Sequence, residues 1–306
     1  MNFKPLLLTS ILAALAACAH TDSKEPVSPQ TQAASAVSAA SVADSSKVFR
    51  QKIGAYDFIA LNLDTLSMDP SLFDGKPFST AQINEIANRN HAPRMTDGSL
   101  QGALNAYLLR SDKQLIVIDA GKADGKTFAE HLQQAGYRPE QVNTVLLTHT
   151  HPDHTGGLLT EGGKATFPNA TLYLSQAESK LDSAAAVMAA YQGRVKTFAA
   201  GETVFDGIKS VNLAGHTAGH SGYEISSQGQ SLLVWGDIVH NAYIQFDHPE
   251  AALKYDADEN ATRKTRQAIF AQTAKNHTVV AGMHLPFPGI GQVEAAGKDK
   301  YRWVAK

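Results

Sequence analysis

The stretch Thr148-His149-Thr150-His151-Pro152-Asp153-His154-Thr155-Gly156-Gly157 decides how this 306-residue chain is read. It follows the apolar run Val145-Leu146-Leu147 and sets three imidazoles and a carboxylate within positions 149 to 154. Imidazole and carboxylate are ligands for zinc and neighbouring divalent metals. On an extended backbone, side chains two apart point the same way, so His149 and His151 are placed to grip one metal together. Pro152 turns the chain and lets Asp153 and His154 face a second direction. Gly156 and Gly157 leave room for backbone to crowd the site. The pattern predicts two adjacent metal ions.

Further motifs lie around it: Leu115-Ile116-Val117-Ile118-Asp119-Ala120-Gly121 upstream, then Gly215-His216-Thr217-Ala218-Gly219-His220, Leu233-Val234-Trp235-Gly236-Asp237 and Ala281-Gly282-Met283-His284. In type, order and spacing these resemble the metallo-β-lactamase-fold hydrolases. Across residues 98–306 the chain is most similar to the methyl parathion hydrolase-like branch and its lactone- and ester-hydrolysing relatives, including the ending His284-Leu285-Pro286-Phe287-Pro288-Gly289-Ile290-Gly291. The resemblance implies an α+β fold, a four-layer αββα sandwich with metals at one edge between two sheets. It implies that His149, His151 and His216 hold one metal, that Asp153, His154 and His284 hold the other, and that Asp237 bridges them. Zinc is the default, and the same ligands accept manganese, iron or cobalt.

By the same resemblance, a metal-bridging hydroxide is the nucleophile, and Asp153 or Asp237 takes a proton as the intermediate collapses. Asp119 is expected to fix the tautomer of a ligating histidine, the alternative being a turn aspartate. His240 stands three residues after Asp237. It either donates to the oxyanion or the leaving alkoxide, or forms pocket wall without a chemical step. His220 reads as structural, and His91, His131, His248 and His277 as solvated. The implied substrate is a small, apolar, ester-like molecule: a lactone or a carboxylic or aryl ester, with phosphotriester hydrolysis as a promiscuous activity. A mononuclear iron persulfide dioxygenase-like oxygenase is the alternative, and a β-lactamase ranks below it because no cysteine ligand exists.

Pattern alone supports a mixed α/β or α+β domain. Residues 106–109 and 115–118 read as paired strands, 142–147 and 171–174 as buried strands, and 224–227 with 231–234 as a hairpin. Phe128 to Ala135 reads as a helix, as does a segment capped by Ser175 and Glu178 that runs toward Tyr191. Residues 260–275 read as an exposed helix and 278–281 as a last strand. The segment Leu66 to Phe78, with Met68, Leu72 and Phe73, reads as a lid over an apolar pocket or as a packed N-terminal arm. Tyr255 and Phe246 are further pocket candidates.

Lys4 and the apolar residues to Leu15 read as a signal peptide over residues 1–17. Leu15-Ala16-Ala17-Cys18 resembles a lipobox, which makes Cys18 the lipidation site; an ordinary cleaved signal is the alternative. Cys18 is the sole cysteine, so an intramolecular disulfide is excluded. Residues 18–47 are Ala-, Ser-, Thr- and Gln-rich and read as a flexible tether to a catalytic domain at 48–306. The expected location is therefore periplasmic, on a lipid anchor in the membrane. The balance of 27 Lys and Arg against 29 Asp and Glu offers no footprint for nucleic acid. A homodimer is compatible with the composition.

Overall fold

The computed structural model describes residues 47–123 and 125–306. The signal peptide, Cys18 and all of the tether but Lys47 lie outside the described residues. Two seven-stranded sheets carry the fold. The first holds, in spatial order, β1 (Val48–Ile53), β2 (Tyr56–Met68), β3 (Leu100–Arg110), β4 (Leu115–Ile118), β5 (Thr144–Leu146), β6 (Thr171–Ser175) and β7 (Val195–Phe198). Neighbours are antiparallel from β1 to β4 and parallel from β4 to β7. The second runs β14 (Lys300–Ala305), β13 (Ile290–Gly297), β12 (Val279–Ala281), β11 (Gln230–Val234), β10 (Ser221–Ser227), β9 (Ile208–Asn212) and β8 (Thr203–Phe205).

Alternation along each strand divides the core into layers. Phe58, Ala60, Tyr107, Leu109, Ile116, Ile118 and Leu146 point inward and meet Tyr223, Ile225, Leu232, Val234 and Ala281 of the second sheet. Their neighbours Ile59, Leu61, Leu108, Val117, Val145 and Leu147 point outward. There they pack with Phe128 and Leu132 of α2 (Gly125–Gln134) and Val187 of α4 (Ala185–Ala190). Leu233, Trp235 and Val280 cover the far side of the second sheet and pack against Ile269 and Phe270 of α6 (Glu259–Asn276). The result is the expected four-layer αββα sandwich of the α+β class. Three further helices complete it: α1 (Thr80–Arg89), α3 (Pro152–Thr155) and α5 (Ala242–Gln245).

Several expectations need correction. No single helix runs from Ser175 to Tyr191: two 3₁₀ turns precede α4, because the Glu178 side chain turns inward instead of supporting a helix. Helix α6 is not simply exposed, since Thr262, Arg266, Ile269, Phe270 and Thr273 form a buried face. His131 is buried, and His248 packs edge-on against Phe78 beside Asp247 and Glu250. The segment 66–78 is packed, and Leu66, Met68 and Leu72 within it also line the cleft at the site. Its first residues belong to β2, and Met68 and Phe73 are buried with Ile83 and Ile86 of α1.

Arg266 shows how tertiary structure overrides a surface residue type. Its guanidinium is wholly buried, where Nε donates to Ile238 O at 2.6 Å and Nη1 to Pro249 O at 3.0 Å and Ala251 O at 2.7 Å. It thereby ties the loop after β11 to the segment before α6. Truncation strands the buried carbonyls of Ile238 and Pro249, while Ala251 O keeps the Gln245 Nε2 donor at 2.9 Å. Arg266→Ala should lower stability by about 3 kcal/mol in urea unfolding, with Arg266→Lys losing less. An unchanged midpoint for Arg266→Ala would remove this role.

Candidate metal centre

The strand ends β4, β5, β11 and β12 all open on one edge of the sandwich, and the polar motifs begin there. Asp119 follows β4 and is buried. Its Oδ1 accepts the Thr148 N–H at 2.8 Å, and its Oδ2 accepts the Thr148 hydroxyl at 2.6 Å and His154 Nδ1–H at 2.8 Å. Burial pushes the Asp119 carboxyl up, while His154 and Thr148 pull it back. Asp119 is therefore placed where a tautomer-fixing acceptor is needed.

Proton accounting identifies what the first histidine group lacks. The Thr148 hydroxyl gives its proton to Asp119, so it accepts from His149 Nδ1 at 3.1 Å. His216 Nδ1 donates to Asp256 Oδ1 at 2.8 Å. Both Nε2 atoms are then bare lone pairs, and each lies 3.0 Å from His151 Nδ1. Three ring nitrogens thus converge with at most one proton among them. A cation resolves that crowding, and the donor chemistry fits a divalent metal.

A second cluster lies beside it. Asp153 Oδ2 is 3.7 Å from His154 Nε2 and 3.5 Å from His284 Nε2, and His284 Nδ1 donates to Ala103 O at 2.9 Å. Asp237 lies between the clusters. Its Oδ1 is 3.2 Å from His154 Nε2; its Oδ2 is 3.1 Å from His284 Nε2, 3.5 Å from His216 Nε2 and 3.7 Å from His149 Nε2. All seven residues named from the sequence are therefore brought together. His240 joins them, with Nε2 3.2 Å from Asp237 Oδ2, and so the fold also gathers His216, Asp237 and His240 as one donor group.

His220 stands behind this cluster. It donates from Nδ1 to Leu213 O at 3.0 Å and accepts the Asp237 N–H on Nε2 at 2.9 Å. Burial and the neighbouring His216 push it down to about 3, so it is a neutral strut under Asp237. The strut needs Gly236, whose positive φ and lack of Cβ let the loop pass over the His220 ring. Sequence reasoning missed three supports: Asp256 behind His216, Glu178, and Gln245, whose Oε1 accepts the His240 N–H at 2.7 Å. Asp256 and Gln245 stand in no recognisable motif, and Glu178 reads from the sequence only as a helix cap; the role of each becomes visible only when burial is known.

The site opens into a cleft of about 740 Å³. His151, Asp153, His216, Asp237, His240 and His284 form its polar side, and Leu66, Met68, Leu72 and Tyr255 form an apolar wall. Phe246 is not part of it: the ring is buried in a stack with Phe270 and Trp303, at 4.9 and 5.5 Å between centroids.

Two mixed sheets between helices, with this donor set at one edge, define the metallo-β-lactamase fold. A family model described as the metallo-β-lactamase superfamily matches residues 101–284, more than half of the chain. The chain belongs to that superfamily. The crystal structure of the hydrolase AbOPH is 37% identical, with a TM-score of 0.78, over 85% of this chain and 97% of that one. AidC, a dizinc quorum-quenching lactonase, shares the fold at 23% identity, with a TM-score of 0.77, over 85% of this chain and 97% of its own. A hydroxyacylglutathione hydrolase of Aeromonas hydrophila is 30% identical over 44% of this chain and 46% of that enzyme. A ribonuclease of Thermus thermophilus is 30% identical over 44% of this chain and 35% of its own length. This chain spans less than half the length of these curated relatives.

The titration of the two clusters differs. Burial lowers His149, His151 and His216 below the ordinary histidine value, with His149 well below it. Burial also opposes charge on His154 and His284, but Asp237 and Asp153 overcome it and hold both above that value, His154 well above. As pH falls, protons therefore load His154 and His284 first, while the three-histidine cluster stays neutral to lower pH. Protons compete with metal for these atoms. Acidification from about pH 8 to about pH 5 should release metal in two steps, the Asp153–His154–His284 position emptying first. Following release with a chromophoric chelator in wild type and in His284→Ala tests the order. Loss from the three-histidine cluster first contradicts it.

Proposed function

We propose that this chain is a dinuclear metal-dependent hydrolase of lactones or carboxylic and aryl esters, with phosphotriester hydrolysis as a secondary activity. The observation that carries this reading is a buried histidine–aspartate cluster opening into a cleft with an apolar wall. A compact, uncharged ester is the substrate such a cleft suits. Similarity to the hydrolase AbOPH over nearly all of that protein supports the hydrolytic class, and the fold shared with AidC is consistent with a lactone.

His149, His151 and His216 would hold one ion and Asp153, His154 and His284 the other, with Asp237 facing both. Bound there, divalent ions supply Lewis acidity and a water acidic enough to act as nucleophile near neutrality. The protein holds the donors ready. Burial would raise the Asp237 carboxyl, but His154, His284 and His149 around it keep it well below the usual carboxylate range, so it stays anionic. Asp153, less buried than Asp237, lines the cleft within reach of substrate.

His240 lines the same cleft, its ring stacked on His284 at 5.3 Å and 15°. Its Nδ1 is buried without a hydrogen-bond partner. We assign it a hydrogen bond from Nε2–H to the departing alkoxide, while the proton that alkoxide finally collects is the one from the attacking water, relayed by Asp153 or Asp237. His240→Ala should lower kcat about 100-fold on esters with poor leaving groups, and far less on activated aryl esters, while metal content stays at wild-type level. Equal losses on both substrate kinds would return His240 to the pocket wall.

The test of the whole reading is metal analysis of the purified chain joined to a panel of lactones, aryl esters, a phosphotriester and a β-lactam. Two metals with preference for lactone or ester are expected. Preference for the β-lactam, or a single iron with oxygen consumption, overturns it. We also propose export and lipid anchoring at Cys18. Cys18→Ala should shift the protein from the membrane fraction to the soluble fraction; an unchanged distribution rejects the anchor.

A further inference from the structure

The carboxylate of Glu178 is fully buried, yet it touches none of the candidate ligands. Its Oε1 accepts the Thr150 N–H and the Thr150 hydroxyl, both at 2.8 Å. Its Oε2 accepts the Thr217 hydroxyl at 2.7 Å. Thr150 is the residue between His149 and His151, and Thr217 directly follows His216. One carboxylate therefore grips the backbone neighbours of all three histidines, using one oxygen for each loop. Along an extended segment the Thr150 side chain faces away from its flanking histidines, which is why the carboxylate sits behind the cluster and not in it.

Glu178 is itself fixed from the same two directions. Its N–H donates to Ser175 Oγ at 3.0 Å, and Ser175 Oγ donates to Gly219 O at 2.8 Å, in the loop that carries His216. The loop passes so close that a Cβ on Gly219 would collide with the Glu178 backbone. Thr150 Oγ1 also meets Ser183 Oγ at 2.6 Å, which closes the connection on the other side. This ring of contacts explains the broken helical segment after β6, because a continuous helix would carry Glu178 away from both threonines.

We propose that Glu178 is a positioning residue that sets the distance between the His149–His151 loop and the His216 loop, and so shapes the three-histidine cluster to take a metal. This rests on the metal-centre reading given above. A buried anion with only neutral donors is costly, and two loops held at one spacing are what offset that cost here. Without the carboxylate, each loop relaxes on its own, and the three ring nitrogens no longer converge.

The test titrates the metal-free full chain with Co²⁺, reading the visible ligand-field spectrum and the bound equivalents by dialysis. His284→Ala serves as the parent because it disables the other position and isolates the three-histidine cluster. In that parent, Glu178→Ala should weaken Co²⁺ binding about 10- to 100-fold and broaden the spectrum. Glu178→Gln keeps an acceptor for Thr150 and a side chain of the same length, and should bind Co²⁺ close to the parent. Thr217→Val, an isosteric change that cuts only the Oε2 link, should fall between them and guards against a misfolded Glu178→Ala. Undiminished binding in Glu178→Ala, or Glu178→Gln as weak as Glu178→Ala, overturns the positioning role. A wild-type chain that takes up no Co²⁺ overturns the metal-centre reading itself, and this inference with it.

Discussion

The site depends on one constraint: the Asp237 carboxylate is buried within 3.7 Å of five imidazoles. A buried anion among lone pairs demands cations, either protons on some histidines or metal ions between them. The surrounding structure determines which histidines hold protons. His149 backs onto Thr148, His154 onto Asp119, His216 onto Asp256 and His284 onto a main-chain carbonyl. In each pair the outer ring nitrogen is occupied, and the inner nitrogen is turned toward Asp237 or His151. Such outer partners fix tautomer and ring orientation, two conditions for a ready-made metal site.

The sandwich supplies the stiffness this demands. Tyr223 and Tyr107 reach across the core to carbonyls at the site edge, Leu147 O at 2.6 Å and Gly282 O at 2.8 Å. Trp235 N donates to Ala281 O, joining the Asp237 and His284 strands just before both ligands emerge. Arg266 holds the Asp237 loop from behind, and Glu178 joins the histidine loops from the other side. Each support is a buried polar group that is costly unless it is satisfied, which makes the edge rigid as well as specific.

Chemistry and selectivity come from different parts of the molecule. The donor cluster is assembled from residues that follow β5, β9, β11 and β12. The apolar wall comes from the end of β2, the 3₁₀ turn that follows it, and the segment before α6 that carries Tyr255. These last two segments are joined by main-chain bonds, from Ala252 N–H to Lys76 O and from Lys254 N–H to Leu72 O. The wall is therefore a paired unit, and Asp256 at its end holds His216. Substrate wall and donor cluster are mechanically joined.

Local chemistry, read along the chain, was enough to find the histidines and aspartates that converge and the strands that deliver them, because ligand type and apolar alternation are written in consecutive residues. It also named Asp119, which ends a strand in a recognisable run. The roles of Asp256, Glu178 and Gln245 were invisible for a physical reason: each acts through burial and through partners 5 to 40 positions away, and the one local pattern among them, the helix cap at Glu178, points to a different role. The same holds for Arg266, which reads as a surface residue of an exposed helix, and for Phe246, which reads as pocket but lies in an aromatic stack. The sequence by itself determined which atoms can bind and in what order they arrive. Only the tertiary structure decided their spacing, their protonation and the wall beside them, since those depend on which distant segments exclude water together.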